Sequence, residues 1–269
     1  MTSLWDVSTD RGLSASADEF VGVLSTHHDR VAETWQALSP EQWEQTSRNT
    51  EWSVHDTARH VADAMELGAS QVLDEPGRFV PDGFDPLTTP DLWLAASAGD
   101  PPARTVERFA EAAQRLRVGV GERMTAGDSS LGKTVYGPAH WSVGVVHLFW
   151  DSWLHERDML IPLGLIAEST NDEQRLAAVY GLLIAMLPAR MMRQSFDATI
   201  DFTGSGGHIV TAAHESGGIS SAEVRTADTD LACDLCSFVD SLSGRGVPLR
   251  DLVPDAPDML SVFADFMAG

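Results

Sequence analysis

The chain has 269 residues and a formal net charge of −22, from 40 acidic against 18 basic residues. That balance weighs against a nucleic-acid binder or a protein docked on anionic lipid, both of which need clustered lysine and arginine. A hydrophobic content of 43% with 22% charged residues is globular rather than disordered, and two cysteines are too few to staple a secreted scaffold.

Met1-Thr2-Ser3-Leu4-Trp5-Asp6 has no basic or apolar leader character, and no run of ~18 apolar residues follows. The expectation is a soluble, cytoplasmic protein, monomeric or homodimeric, with neither nucleic acid nor membrane as partner. Phe20, Val23, Leu24, Val31, Trp35 and Leu38 recur near helical spacing and predict a first helix over 16–38, stopped at Ser39-Pro40. His27 and His28 point to different faces of it and are expected at the surface. A second helix starts after Trp52-Ser53. Ser53 suits an N-cap, Asp56 complements the positive helix end, and Val54, Ala58, Val61, Met65, Ala69 and Val72 form an apolar stripe. Residues 75–103 are rich in Pro, Gly and Asp, with Phe79, Phe84 and Trp93 as anchors, and read as a long connection of the kind that forms lids.

A third helix is predicted over 104–124, a loop over 127–138, and a fourth helix from about 141 to 161, closed by Pro162 and Gly164. Asn171-Asp172-Glu173-Gln174 resembles a capping box for a fifth helix reaching about Arg193. The period then changes. Residues 198–202 and 208–212 read as strands about the turn Gly204-Ser205-Gly206-Gly207, with a third strand over 219–225 and helices over 228–242 and 256–268. The expected fold is mainly α: a four-helix bundle over 1–165 and a small α+β C-terminal domain over 166–269 that includes a connecting helix.

The fourth helix carries the chemistry. His147, Asp151, His155 and Asp158 step by four, four and three residues, so they share one stripe. Such a stripe is most often a solvated face. Here Val145, Phe149 and Trp153 leave much of the helix apolar, while Glu156 and Arg157 can mark the wet side instead. Two imidazoles and two carboxylates are costly to bury unless paired or metal-bound. Asp151 and His155, at i and i+4, can meet on one ion. His147 is ~12 Å along the axis from His155 and suits the site mouth, as a supporting or substrate-facing group. The best third ligand is His60 in the second helix, although a lone histidine there is more often a hydrogen-bonded core residue.

The segment Glu51-Trp52-Ser53-Val54-His55-Asp56-Thr57-Ala58-Arg59-His60-Val61-Ala62 resembles the second-helix signature of the DinB-like metalloenzyme superfamily. It is closest to the mycothiol-dependent maleylpyruvate isomerase family, in which Trp-Ser-Val precedes a helix bearing a ligand histidine. Trp153-Leu154-His155-Glu156-Arg157-Asp158 resembles that family's fourth-helix signature, with a carboxylate four residues before the histidine. The resemblance spans about residues 15–165 and extends more weakly to 231–245. It implies a divalent ion on His60, Asp151 and His155, zinc foremost, with nickel or iron as alternatives, and mycothiol as thiol cosubstrate. The family usually has Glu where this chain has the shorter Asp151.

The implied chemistry is thiolate attack on a small electrophile, giving cis–trans isomerisation of a maleylpyruvate-like substrate or S-transfer, natural-product intermediates included. Asp158 either accepts the second N–H of His155 or is an ordinary surface acid. Arg245, in Ser243-Gly244-Arg245-Gly246, is either the C-terminal arginine that binds an anionic group or a surface residue in a turn. Two alternatives use the same residues: a non-haem iron enzyme built on a two-His, one-carboxylate triad, and a non-catalytic bundle that binds a small ligand. Cys233-Asp234-Leu235-Cys236 reads as two buried helix cysteines rather than a redox pair. The lone Lys133 is a weak Schiff-base candidate.

Overall fold

A computed structural model describes residues 5–75, 88–134, 137–203, 207–214, 218–224, 231–253 and 260. In its first half, β1 (Asp6–Ser8) and β2 (Gly12–Leu13) precede α1 (Ala17–Ala37), α2 (Pro40–Trp43), α3 (Val54–Val72), α4 (Thr89–Ala96) and α5 (Pro102–Ala126). A hairpin of β3 (Leu131–Thr134) and β4 (Gly137–His140) leads into α6 (Trp141–Leu160), followed by α7 (Asn171–Ala185) and α8 (Leu187–Met192). The remainder is β5 (Phe196–Thr203), β6 (Gly207–Ala213), β7 (Ile219–Val224), β8 (Leu231–Asp234), α9 (Leu235–Leu242) and α10 (Leu249–Leu252).

The bundle forms where the apolar stripes require it. All six stripe residues of α3 are buried, as are Phe20, Leu24, Val31 and Trp35 of α1. Helix α3 packs on α5 and α6, and α1 packs on α5. The sheet runs β2-β1-β7-β6-β5-β8, antiparallel except for the parallel β5–β8 pair. Residues 6–13 therefore join strands that come from beyond residue 195. Helix α7 sits against α6 on one side and against β1, β6 and β7 on another, and one continuous core covers bundle and sheet.

Several local expectations change. Ser39-Pro40 ends α1 but also starts α2, because Ser39 accepts the Gln42 N–H and Pro suits the first helical turn. The 75–103 connection contains α4, whose Trp93 is buried; Phe79 and Phe84 lie outside the described residues. The 127–138 stretch holds most of the β3–β4 hairpin. The fifth helix is capped one residue earlier than expected, by Thr170, and breaks at Met186 ahead of Pro188. The described part of 228–242 is strand β8 followed by α9, and the helix expected over 256–268 falls outside the described residues except for buried Leu260. Residues Asn171–Met192 are, by length and composition, apolar enough to cross a membrane, contrary to expectation, but most of that segment is buried within the fold.

The largest correction on α1 concerns His27 and His28, both fully buried rather than at the surface. Arg30 Nη2 donates to His27 Nδ1 at 3.0 Å, so the proton of neutral His27 lies on Nε2 and is donated to Ser152 Oγ at 2.9 Å. His28 packs edge-on to Phe109, and neither of its ring nitrogens meets a partner among the described residues. Burial, aided by the Arg117 charge, pushes its pKa down to about 3. A histidine neutral when folded and charged when unfolded costs stability as pH falls from 6.5 toward that value, by about 1.4 kcal/mol per pH unit. Replacing His28 by leucine is expected to flatten this acid slope without loss at neutral pH. Urea unfolding at about pH 7 and about pH 4.5 measures it, and an unchanged slope would refute the assignment.

Candidate metal centre

The centre is built by α3 and α6, which run antiparallel. Ser53 and Asp56 form a reciprocal capping box, each side chain accepting the other's backbone N–H at 3.0 Å, and this starts α3 with His60 on its α6 side. Further along, Gly68 lies against Leu148 so closely that a Cβ would overlap the leucine side chain.

His60 Nε2 lies 3.6 Å from Asp151 Oδ2, and His155 Nε2 lies 3.5 Å from Asp151 Oδ1. One ligand atom from each of the three residues falls within 4.8 Å of the others. Ligands about 2.1 Å from a tetrahedral ion stand about 3.4 Å apart, so this donor set fits a divalent cation, and aspartate is long enough to serve. The His60 and His155 rings are buried, while Asp151 is half-buried. Trp52 covers both rings, at 5.1 and 6.3 Å between centroids, and Trp93 lies 6.5 Å from His60.

The electrostatics suit a shared positive charge. Burial alone would raise the Asp151 carboxyl, yet His155 and His60 hold it well below the usual carboxylate range. Burial opposes the charged form of His155, but Asp151 and Asp158 outweigh it and bring its pKa up to about 9. Without a cation, a proton on His155 supplies the charge that the cluster favours.

Asp158 is no surface acid. It is fully buried, and its Oδ2 accepts the His155 Nδ1–H at 3.0 Å, which leaves Nε2 as the nitrogen turned toward Asp151. Arg245 lies in the left-handed turn after α9, and its Nε donates to both Asp158 oxygens at 2.8 and 2.9 Å. Its guanidinium is thus half-buried and engaged by a carboxylate of the chain. His147 stands one turn before Asp151. Its Nδ1 bonds the Tyr180 hydroxyl at 2.9 Å, its ring stacks on Trp150, and burial pushes its pKa down.

Sequence reasoning missed Arg48 and Tyr180. Arg48 stands in a polar loop with no periodicity to read, and Tyr180 is one apolar-helix residue among many. The expectation that Glu156 and Arg157 mark a wet face fails. Glu156 is buried against Arg30, and Arg157 lies across Trp153 and pairs with Asp240. Cys233 lies in β8 instead of a helix, and Cys236 sits in α9. Burial raises both thiols, Cys233 to about 12, so neither is a ready nucleophile.

The family model described as the mycothiol maleylpyruvate isomerase N-terminal domain matches residues 24–160, the stretch from mid-α1 to the end of α6. Two solved structures share the fold across 89% of this chain and 92% of theirs. One is the mycothiol-dependent maleylpyruvate isomerase, at 15% identity and a TM-score of 0.58. The other is a histidine-to-alanine mutant of the mycothiol-dependent maleylpyruvate isomerase, at 13% identity and a TM-score of 0.59. No curated protein matches the chain.

Proposed function

We propose, since the chain belongs to the mycothiol maleylpyruvate isomerase N-terminal domain family, that it is a divalent-metal enzyme whose nucleophile is a low-molecular-weight thiol, mycothiol. Its reaction is cis–trans isomerisation of a maleylpyruvate-like substrate or S-transfer to a small electrophile. The observation that carries this reading is the convergence of His60, Asp151 and His155 with donor spacings suited to one ion.

A divalent cation, zinc foremost, supplies the charge that keeps a thiol deprotonated at neutral pH. Two neutral imidazoles and one carboxylate leave such a centre net positive, which favours an anionic sulfur. Asp158 holds the tautomer of His155. His147 is kept neutral by burial and anchored through Nδ1 to Tyr180, so its Nε2 is the nitrogen free to take or return a proton beside the ligands. Trp52 and Trp93 shield the ligand face from water and thereby strengthen the charge interactions within it.

The test has two stages. Protein purified without chelator is expected to hold about one zinc or nickel ion per chain. Iron in its place favours a non-haem iron enzyme, which has the same donor set, and a metal-free protein favours a silent binding bundle. Incubation with mycothiol and candidate electrophiles is then followed by mass spectrometry. Isomer without adduct indicates isomerisation, accumulating adduct indicates transfer, and neither from a metal-loaded protein overturns the thiol reading.

A further inference from the structure

We infer that Arg48, Arg245 and Asp240 are positioning residues of the metal centre, which lock the Asp158 carboxylate so that His155 Nε2 faces the cation. The inference rests on the metal reading above and extends it to a loop and a helix outside the ligand-bearing elements.

Asp158 has two oxygens, and His155 uses one. The rest of its hydrogen-bonding capacity is taken up by arginine. Arg48 Nε donates to Oδ1 at 2.8 Å, and Arg245 Nε spans both oxygens. A carboxylate gripped from two sides has no freedom to rotate away from the imidazole.

The grip is itself anchored. Asp240, near the end of α9, receives Arg48 as a fork, Nη1 to Oδ2 and Nη2 to Oδ1, both at 3.1 Å. Arg157 reaches the same carboxylate from α6, at 2.6 and 3.1 Å. The backbone adds two further ties. Arg48 N–H donates to the Asp158 carbonyl at 2.9 Å, and Arg245 N–H donates to the Asp240 carbonyl at 2.7 Å. Gly244 and Gly246 adopt φ of +70° and +77°, the left-handed values that fold the chain back and aim Arg245 at α6. Five charged side chains thus connect α9 to the metal ligand through Asp158, and the C-terminal part becomes a support of the centre.

The test uses the full-length protein, with Zn²⁺ affinity read by chelator competition and Co²⁺ absorption as a probe of ligand geometry. Asp240→Asn, which is isosteric, and Arg245→Gln are expected to weaken Zn²⁺ binding by roughly 10- to 100-fold. Both are expected to alter the Co²⁺ spectrum, and Asp240→Glu to recover part of the loss. Arg250→Gln, at an exposed position on α10, is the control and is expected to match the parent. Circular dichroism of the metal-free variants confirms that each is folded. Folded variants that bind Zn²⁺ like the parent and share its Co²⁺ spectrum overturn this inference alone. A parent that takes up neither ion overturns the metal reading as well.

Discussion

Replacing His155 by alanine is expected to empty the cation site and to lower turnover by on the order of 10³-fold, the equivalent of several kcal/mol of charge stabilisation. The chain of reasoning is short. His155 supplies one of three donors, and the remaining pair, His60 and Asp151, lacks the second imidazole needed to hold an ion against water. The variant should nonetheless fold. Asp158 loses the imidazole but keeps Arg48 and Arg245, so no bare charge is left buried. Metal analysis, circular dichroism and turnover measured on one preparation separate loss of the centre from loss of structure. A folded variant that retains its metal and its rate would refute the ligand assignment.

The second large effect is on stability, at Arg30. This residue bridges two carboxylates, Glu156 at 2.9 Å and Glu173 at 2.8 Å, whose side chains are 1% and 0% exposed. It also donates to His27. Arg30→Met keeps much of the apolar stem but leaves two buried acids facing each other, and is expected to cost about 3–5 kcal/mol. Against a total stability of about 5–15 kcal/mol that is a large fraction. Arg30→Lys should recover only part, because one ammonium cannot serve both glutamates and the imidazole in the planar geometry of the fork.

The deficit should depend on pH in a defined direction. Burial already raises the Glu173 carboxyl in spite of Arg30. With Arg30 gone, Glu173 loses the charge that holds its carboxyl down and favours the protonated form more strongly in the folded state than in the unfolded one. Acids whose folded pKa lies above the unfolded value cost stability as pH rises past about 4.5, so the gap between variant and parent should shrink as pH falls toward that value. Urea unfolding across this range is the measurement. A loss below about 1 kcal/mol at neutral pH would show that the cluster relaxes or admits water.

Much of the bundle was legible before any coordinates. The apolar stripe of α3 and its Ser53–Asp56 box are local features, carried by residues within a few positions of one another, and they appear where the spacing places them. The i, i+4 pair Asp151 and His155 was equally visible, His60 stood out as the best third ligand, and the resemblance of the two helix signatures strengthened that reading. What escaped depends on partners distant in the chain. Strand β1 is three residues long with no alternating pattern of its own, and it becomes a strand because Asp6 to Ser8 pair with residues 220–222. His27 and His28 looked like surface residues because polarity is a fair guide to exposure, but Ser152 of α6 meets His27 and Phe109 of α5 packs on His28.

The apolar stripes of α1 and α3, and the stripe on α6 able to carry a metal, follow from residue spacing, since a helix places every third or fourth side chain on one side whatever surrounds it. Whether that stripe faced water or a partner depended on α3 packing against α6, and whether Asp158 and Arg245 were surface groups depended on where α9 and the turn after it docked. Those are contacts between segments tens of residues apart, set by the packing of the whole chain.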